Sequence, residues 1–149
     1  MRIAVLNGPN LNLLGVREPE LYGSESLEDI EASVRAKAEL RGVEVLWYQT
    51  NHEGEFVDLV QGLRGKGQVG GALVNAAGFT HTSIAIRDAL LAVQVPFVEV
   101  HLSNIFAREP ERRVSVLADI AVGIVAGFGG QSYLLAFDAL IDHVTSGDR

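Results

Sequence analysis

The chain has 149 residues, of which 48% are hydrophobic and 21% charged, and its formal net charge at pH 7 is −7. This length and composition predict one domain, residues 1–149, with a sizeable core, and the negative charge disfavours binding to nucleic acid or to an anionic membrane. The lack of cysteine excludes disulfides and thiolate sites, and with no signal peptide or apolar run of membrane-spanning length we expect a cytoplasmic protein.

Short apolar runs, rich in β-branched residues, alternate with helical patterns along the chain. Runs that are hydrophobic throughout suit a parallel sheet that is buried on both faces. The runs that predict strands are Ile3–Leu6, Val43–Tyr48, Val69–Val74, Pro96–Val100 and Ala121–Ala126.

Amphipathic segments between these runs predict helices. Ser26 and Asp29 resemble a capping box at the start of the first helix, which should end at Gly42. Thr82 or Ser83 can cap the third helix. Apolar residues at helical spacing mark the second and last helices: Phe56, Leu59, Val60 and Leu63, and then, after about Ser132, Tyr133, Leu134, Phe137, Leu140, Ile141 and Val144. The alternation predicts an α/β fold, a flavodoxin-like three-layer sandwich with a five-stranded parallel sheet.

Polar side chains follow three of the predicted strands. The first strand ends in Asn7 and a loop to Gly23 that is unusually long for a strand-to-helix link. The third strand ends in the segment 75–83, and the fourth in the segment 99–104. Because ligands of such sheets bind outside the carboxyl ends of the strands, we expect these segments to form one site.

The sequence lacks the residues that several kinds of catalysis and ligand binding require. The sequence has no G-x-S-x-G elbow, no phosphate-binding loop, no rim lysine and no paired histidine spacing for a metal. Proton transfer remains, with Tyr22 and His101 as candidate base and acid. Arg17 could lower the pKa of Tyr22, and Glu99, on the same side of the strand as His101, could orient its imidazole.

Arginines follow the fourth strand in the stretch Arg108-Glu109-Pro110-Glu111-Arg112-Arg113. A guanidinium can bind a carboxylate through a planar fork of donors. We interpret Arg108 and Arg113 instead as solvated or as subunit contacts. The glycine-rich stretch 127–132 predicts a tight strand-to-helix turn.

Taken together, these residues resemble the type II 3-dehydroquinate dehydratase family. The resemblance covers nearly the whole chain. It rests on the motifs Asn7-Gly8-Pro9-Asn10-Leu11, Gly15-x-Arg17-Glu18-Pro19-x-x-Tyr22-Gly23, Asn51-His52-Glu53-Gly54-Glu55, Asn75-x-x-Gly78-x-Thr80-His81-Thr82-Ser83, Asp88-Ala89 and Glu99-Val100-His101-x-Ser103-Asn104.

The resemblance implies reversible loss of water from 3-dehydroquinate through an enolate, giving 3-dehydroshikimate in the shikimate pathway of aromatic amino acid biosynthesis. It implies no metal or organic cofactor, and a homododecamer built as a tetramer of trimers. It assigns Tyr22 as the base, Arg17 as the group that keeps it phenolate-like, His101 as the acid and Asn10 as a holder of the water that stabilises the enolate. The implied substrate contacts are Asn75, His81, Asp88, Leu102, Ser103 and Arg112.

The chain departs from the family pattern at Pro110 and Glu111, where a non-proline residue and Phe usually stand, and at Ser132, where glycine is usual. We expect the first departure to alter loop packing and the second a helix start. Two alternatives stay open: a non-catalytic binding module for a nucleotide or flavin, and an inactive scaffold. A role in quinate breakdown, which shares the reaction, also stays open.

Overall fold

A parallel sheet forms the centre of the structure, a computed structural model that describes residues 1–16, 20, 24–65, 67 and 69–147. Its strands lie in the order β2-β1-β3-β4-β5, and every neighbouring pair is parallel. The strand bounds are β1 Arg2–Asn7, β2 Glu44–Gln49, β3 Gly71–Asn75, β4 Phe97–His101 and β5 Gly123–Ala126. The five predicted strands are confirmed, with ends that differ by two residues or fewer, and the strand order is flavodoxin-like.

Among the described residues, four helices connect and cover the strands: α1 Leu27–Leu40, α2 Glu53–Gln61, α3 Ile84–Val93 and α4 Gln131–Ser146. The predicted capping box begins α1, because Ser26 Oγ accepts from the Asp29 N–H at 3.1 Å and Asp29 Oδ2 accepts from the Ser26 N–H at 3.0 Å. Ser83, rather than Thr82, caps α3, with its Oγ 3.0 Å from the Ile86 nitrogen. None of the described helices has the length and apolar character needed to cross a membrane.

The core is divided between the two faces of the sheet. On one face, Val5 and Leu73 pack with the apolar sides of α1 and α4. On the other, Leu6 and Val74 pack with α2 and α3. Successive strand residues therefore point to opposite layers, which is the three-layer sandwich that the hydrophobic runs predict.

The order of the strands fixes where a ligand can enter. The chain leaves β1 toward β2 on one side and then returns across the sheet to β3 on the other. The connections that follow β1 and β3 therefore run apart at their carboxyl ends, which opens a crevice there. Asn7 and Asn75 are paired in register at this point, so each ends its strand at the mouth of the crevice.

Candidate active site

A pocket opens at the carboxyl ends of β1, β3 and β4, with a space of about 510 Å³ that includes open solvent. The prediction that the ends of these three strands lie together on one rim of the sheet is confirmed. Several predicted site residues line the pocket: Asn10, Asn75, His81, His101, Leu102, Ser103 and Arg112.

His101 and Glu99 form a buried pair at the end of β4. Their side chains lie on the same side of the strand, as the alternation of a strand predicts, and His101 Nε2 is 2.7 Å from Glu99 Oε2. Glu99 is 0% exposed and His101 is 4% exposed. Since Nε2 faces the carboxylate, Nδ1 is the ring nitrogen left for a ligand in the pocket.

Asn75 is held by a buried tyrosine. Its Nδ2 donates to the Tyr133 hydroxyl at 2.9 Å, and that hydroxyl donates to Asn7 Oδ1 at 2.7 Å. Asn75 Oδ1 also accepts from the Ala77 N–H at 3.2 Å. Burial raises the pKa of Tyr133, so the phenol keeps the proton that it donates. The second Nδ2 hydrogen and the second lone pair of Asn75 are left for a ligand.

In the sequence, Tyr133 stands out only as one of the apolar residues at helical spacing in the last helix, and its part in the site was not predicted. Its hydroxyl contacts the ends of two strands, and its ring stacks on Trp47 at a centroid distance of 5.9 Å. A buried tyrosine hydroxyl needs a hydrogen-bond partner, and that requirement is the signal that could have linked it to the asparagines.

His81 follows β3 and is oriented by the segment before β5. Its Nδ1 is 2.6 Å from the carbonyl oxygen of Val114. A carbonyl only accepts, so Nδ1 carries the proton and Nε2 is available to a ligand. This leaves an imidazole nitrogen in the pocket that can accept a hydrogen bond from a hydroxyl while the ring is neutral.

The start of the loop after β1 is fixed against the sheet. Gly8 passes so close to β3 that a Cβ atom there would lie 2.4 Å from the carbonyl oxygen of Ala76. Asn10 adopts the left-handed conformation, with φ 69°, and its N–H donates to Asn51 Oδ1 at 2.9 Å. Gln49 Nε2 donates to the Gly8 carbonyl at 3.2 Å and to Asn51 Oδ1 at 3.1 Å. The Asn10 backbone is thus set before any ligand arrives.

The arginine-rich segment, residues 108–113, contributes one residue more to the pocket than the sequence predicts. Arg112 lines the pocket and its Nε donates to Glu109 Oε1 at 2.5 Å. A backbone hydrogen bond and the Arg112 guanidinium hold the pKa of Glu109 below its usual range. Arg108 also lines the pocket, with a side chain only 14% exposed, so its interpretation as a solvated residue is wrong. Pro110 begins a 3-10 turn, Pro110–Arg112, that sets the spacing of this segment.

Other predicted site residues are not placed in the pocket. Asp88 is exposed on α3 and is not among the residues that line the pocket. Arg17 and Tyr22, with the part of the loop that carries them, lie outside the described residues. Among the described residues, no group of three or more histidine, aspartate or glutamate side chains is arranged to hold a metal ion.

Comparisons with known proteins agree over nearly the whole chain. The family described as dehydroquinase class II matches residues 1–141. A 3-dehydroquinate dehydratase of Carboxydothermus hydrogenoformans is 54% identical over 149 residues, covering 100% of this chain and 96% of the relative. One of Prochlorococcus marinus is 53% identical over 146 residues, covering 98% and 97%. The crystal structure of the type II dehydroquinase from Butyrivibrio crossotus has a TM-score of 0.91 at 40% identity, covering 95% of this chain and 97% of that one.

Proposed function

The chain belongs to the dehydroquinase class II family and is a 3-dehydroquinate dehydratase, a hydro-lyase, and we propose that it works through an enolate with Tyr22 as the base and His101 as the acid. The observation that carries the proposal is the buried His101–Glu99 pair, which presents one imidazole nitrogen to the pocket. An acid must lie within hydrogen-bond reach of the leaving group, and His101 is one of the residues that line the pocket.

The proposed reaction has two proton transfers. Tyr22 takes a proton from the carbon next to the ketone, and the electron pair of that C–H bond forms the enolate. As the enolate collapses, the C–O bond to the leaving hydroxyl breaks, and His101 supplies the proton that turns the hydroxyl into water. The product is 3-dehydroshikimate, and each catalytic group ends with the protonation state that the reverse reaction needs.

Tyr22 needs help to act as a base near neutral pH. A free tyrosine has a pKa of about 10, and lowering it by about two units requires roughly 2.7 kcal/mol of preference for the phenolate. A neighbouring guanidinium supplies such a preference where water is excluded, and Arg17 lies five residues earlier in the same loop. The support for this pair is the motif that contains both residues.

The remaining roles concern the substrate. We assign Asn10 to the water that stabilises the enolate, and its fixed backbone supports that role. The substrate hydroxyls go to Asn75 and His81, whose free donor and acceptor groups face the pocket. Arg112 also receives a hydroxyl, and the backbone at Leu102 and Ser103 receives the carboxylate.

Asp88 is also a proposed substrate contact, but it is exposed on α3 and is not among the residues that line the pocket of its own chain. Contact with a substrate would therefore come from α3 of a neighbouring copy. This role depends on the proposed assembly, a homododecamer made of a tetramer of trimers. Exposed apolar side chains such as Phe106, Ile124 and Phe128 support burial against other copies. Light scattering should give the mass of twelve chains of 16.0 kDa each.

We place the enzyme in the cytoplasm and in the shikimate pathway, where its product leads to aromatic amino acids. The absence of cysteine suits a reducing compartment. The proposed mechanism uses only groups of the chain itself and a water molecule, and turnover should persist in the presence of a chelator.

The test of the reaction is to add 3-dehydroquinate and follow the ultraviolet absorbance of the conjugated enone. Tyr22→Phe should abolish turnover and leave the far-ultraviolet circular dichroism unchanged, whereas Tyr48→Phe, the same change on β2, should remain active. Near-normal activity of Tyr22→Phe would contradict the base assignment. Arg17→Met should move the pH–rate profile to higher pH, and an unshifted profile would contradict the phenolate argument. No turnover by the intact oligomer would contradict the activity itself.

A further inference from the structure

Ser115 lies behind the proposed acid, at the end of a chain of hydrogen bonds. Its Oγ donates to Glu99 Oε1 at 2.6 Å, and Glu99 Oε2 in turn contacts His101 Nε2. We propose that Ser115 is a positioning residue of the dehydratase: it fixes the Glu99 carboxylate and, through it, the ring of His101. The proposal rests on the proposed role of His101 as the acid.

The direction of the first hydrogen bond follows from the other partners of Ser115. The N–H groups of Leu117 and Ala118 both donate to Ser115 Oγ, each at 3.1 Å. The hydroxyl oxygen has two lone pairs, and both are engaged by these donors. Its single hydrogen is therefore directed at Glu99 Oε1, which must accept.

The carboxylate is fixed by two opposite contacts. Glu99 is fully buried, so each of its oxygens needs a donor. Ser115 occupies Oε1 and the His101 ring occupies Oε2. A planar group held at both oxygens cannot rotate about its terminal bond. Because Glu99 Oε2 stays in one place, the Nε2–H of His101 always points the same way, and the orientation of Nδ1 toward the pocket is fixed with it.

The backbone around Ser115 is held on both sides, which makes the hydroxyl a fixed point. The Val114 carbonyl contacts His81 Nδ1 at 2.6 Å, and the Val116 N–H donates to the Thr80 carbonyl at 2.9 Å. Arg87 Nη1 donates to the Val116 carbonyl at 2.8 Å. The segment that orients His101 through Ser115 is therefore the same segment that orients His81 through Val114.

An ion pair between Arg87 and Asp119 strengthens this attachment. Arg87 contacts Asp119 through both of its terminal nitrogens, at 2.5 Å and 3.0 Å. A bidentate pair restrains a segment more than a single contact does. The pair ties the chain that follows Ser115 to α3, so the position of Ser115 is set by the packing of the fold.

Ser115 could also act only as a local cap, since it accepts two backbone N–H groups. The chain offers a matched control for that case. Thr50 Oγ1 accepts from the His52 N–H at 3.1 Å and donates to Glu55 Oε2 at 2.8 Å. Thr50 is buried, and neither it nor Glu55 lines the pocket. Thr50→Val removes the same kind of hydroxyl at the end of β2, where the neighbouring carboxylate of Glu55 does not orient a proposed catalytic acid.

The test compares Ser115→Ala with Thr50→Val and with Ser115→Thr, which keeps a hydroxyl. We expect Ser115→Ala to lower kcat by about 10- to 100-fold, because a displaced catalytic group costs factors of this size. KM should change by less than about twofold, since the loss falls on the transition state. Ser115→Thr should recover most of kcat, and Thr50→Val should retain the kcat of the parent chain.

A spectroscopic measurement without substrate separates this proposal from the proposed function. In alkaline buffer, long-range ¹H–¹⁵N spectra should show the His101 ring as one neutral tautomer, protonated at Nε2, with the signal assigned by its loss in His101→Asn. Ser115→Ala should show a mixture of tautomers and Thr50→Val should not. An unchanged tautomer, or equal kcat values for the two variants, would overturn the positioning role. An inactive parent chain with the expected tautomers would instead contradict the proposed activity, and the positioning of the His101 ring by Ser115 would stand.

Discussion

Tyr133→Phe removes one buried oxygen and leaves the ring in place. In the parent chain that hydroxyl accepts from Asn75 Nδ2 and donates to Asn7 Oδ1. Both asparagines are buried, so the variant leaves one donor and one acceptor without that partner. Each buried polar group left unsatisfied costs about 1–3 kcal/mol, and partial relaxation gives an expected loss of about 2–4 kcal/mol in the free energy of unfolding.

The assay is equilibrium unfolding in urea. The midpoint urea concentration reports stability when the dependence of the free energy on urea concentration is unchanged. Tyr48→Phe is the control, because within the described residues the Tyr48 hydroxyl has no hydrogen-bond partner. That variant should lose less than about 0.5 kcal/mol. Tyr133→Phe should also raise KM, since Asn75 is a proposed substrate contact. Equal midpoints for the two variants would refute the reasoning.

The pH dependence of the same comparison has a definite sign. Burial raises the pKa of Tyr133 above its value of 10.0 in the unfolded chain. Above pH 10.0 the unfolded chain releases this proton and the folded chain keeps it, so the parent loses stability as the pH rises. Tyr133→Phe lacks this loss. The difference in the free energy of unfolding between the parent and Tyr133→Phe should therefore shrink by about 1.4 kcal/mol for each pH unit above pH 10.0.

Three further changes test the surroundings of the site. Gly8→Ala should lower both stability and kcat/KM, because the added Cβ would lie 2.4 Å from the Ala76 carbonyl oxygen; urea unfolding and steady-state kinetics measure the two effects. Asn10→Gly should be at least about 1 kcal/mol more stable than Asn10→Ala in the same unfolding assay, because φ 69° strains the Cβ of alanine and leaves glycine unstrained. The Arg87 hydrogen bond lowers the pKa of Asp119, so Asp119→Asn should be less stable than the parent at neutral pH. This difference should vanish as acid takes the pH below the folded pKa of Asp119, and a difference independent of pH would contradict that origin.

The sequence was sufficient for the elements because each depends on neighbouring residues. Hydrophobic runs located the strands, and the Ser26–Asp29 spacing located the start of α1. The contact of Glu99 with His101 followed from strand alternation alone. The convergence of three strand ends followed from the rule that parallel strands share an edge.

The parts of the site that the sequence analysis missed depend on distant contacts. Tyr133 is 126 positions from Asn7, and Ser115 is 16 positions from Glu99. No local periodicity marks either contact, because each is created by the packing of a helix or a crossover segment onto the sheet. Arg108 was misread for the same reason: its charge suggested solvent, whereas its segment turns it toward the pocket.

The described contacts divide the site into two supports with different origins. Tyr133 of α4 holds the asparagines at the ends of β1 and β3, whereas the segment before β5 holds His81 and, through Ser115, the Glu99–His101 pair. The two supports share no hydrogen bond among the described residues, so their contributions to kcat/KM should be separable. If so, the losses of Tyr133→Phe and Ser115→Ala should add in the double variant, as they do for independent sites. A double variant with the same kcat/KM as Ser115→Ala alone would show that the asparagines act through the acid.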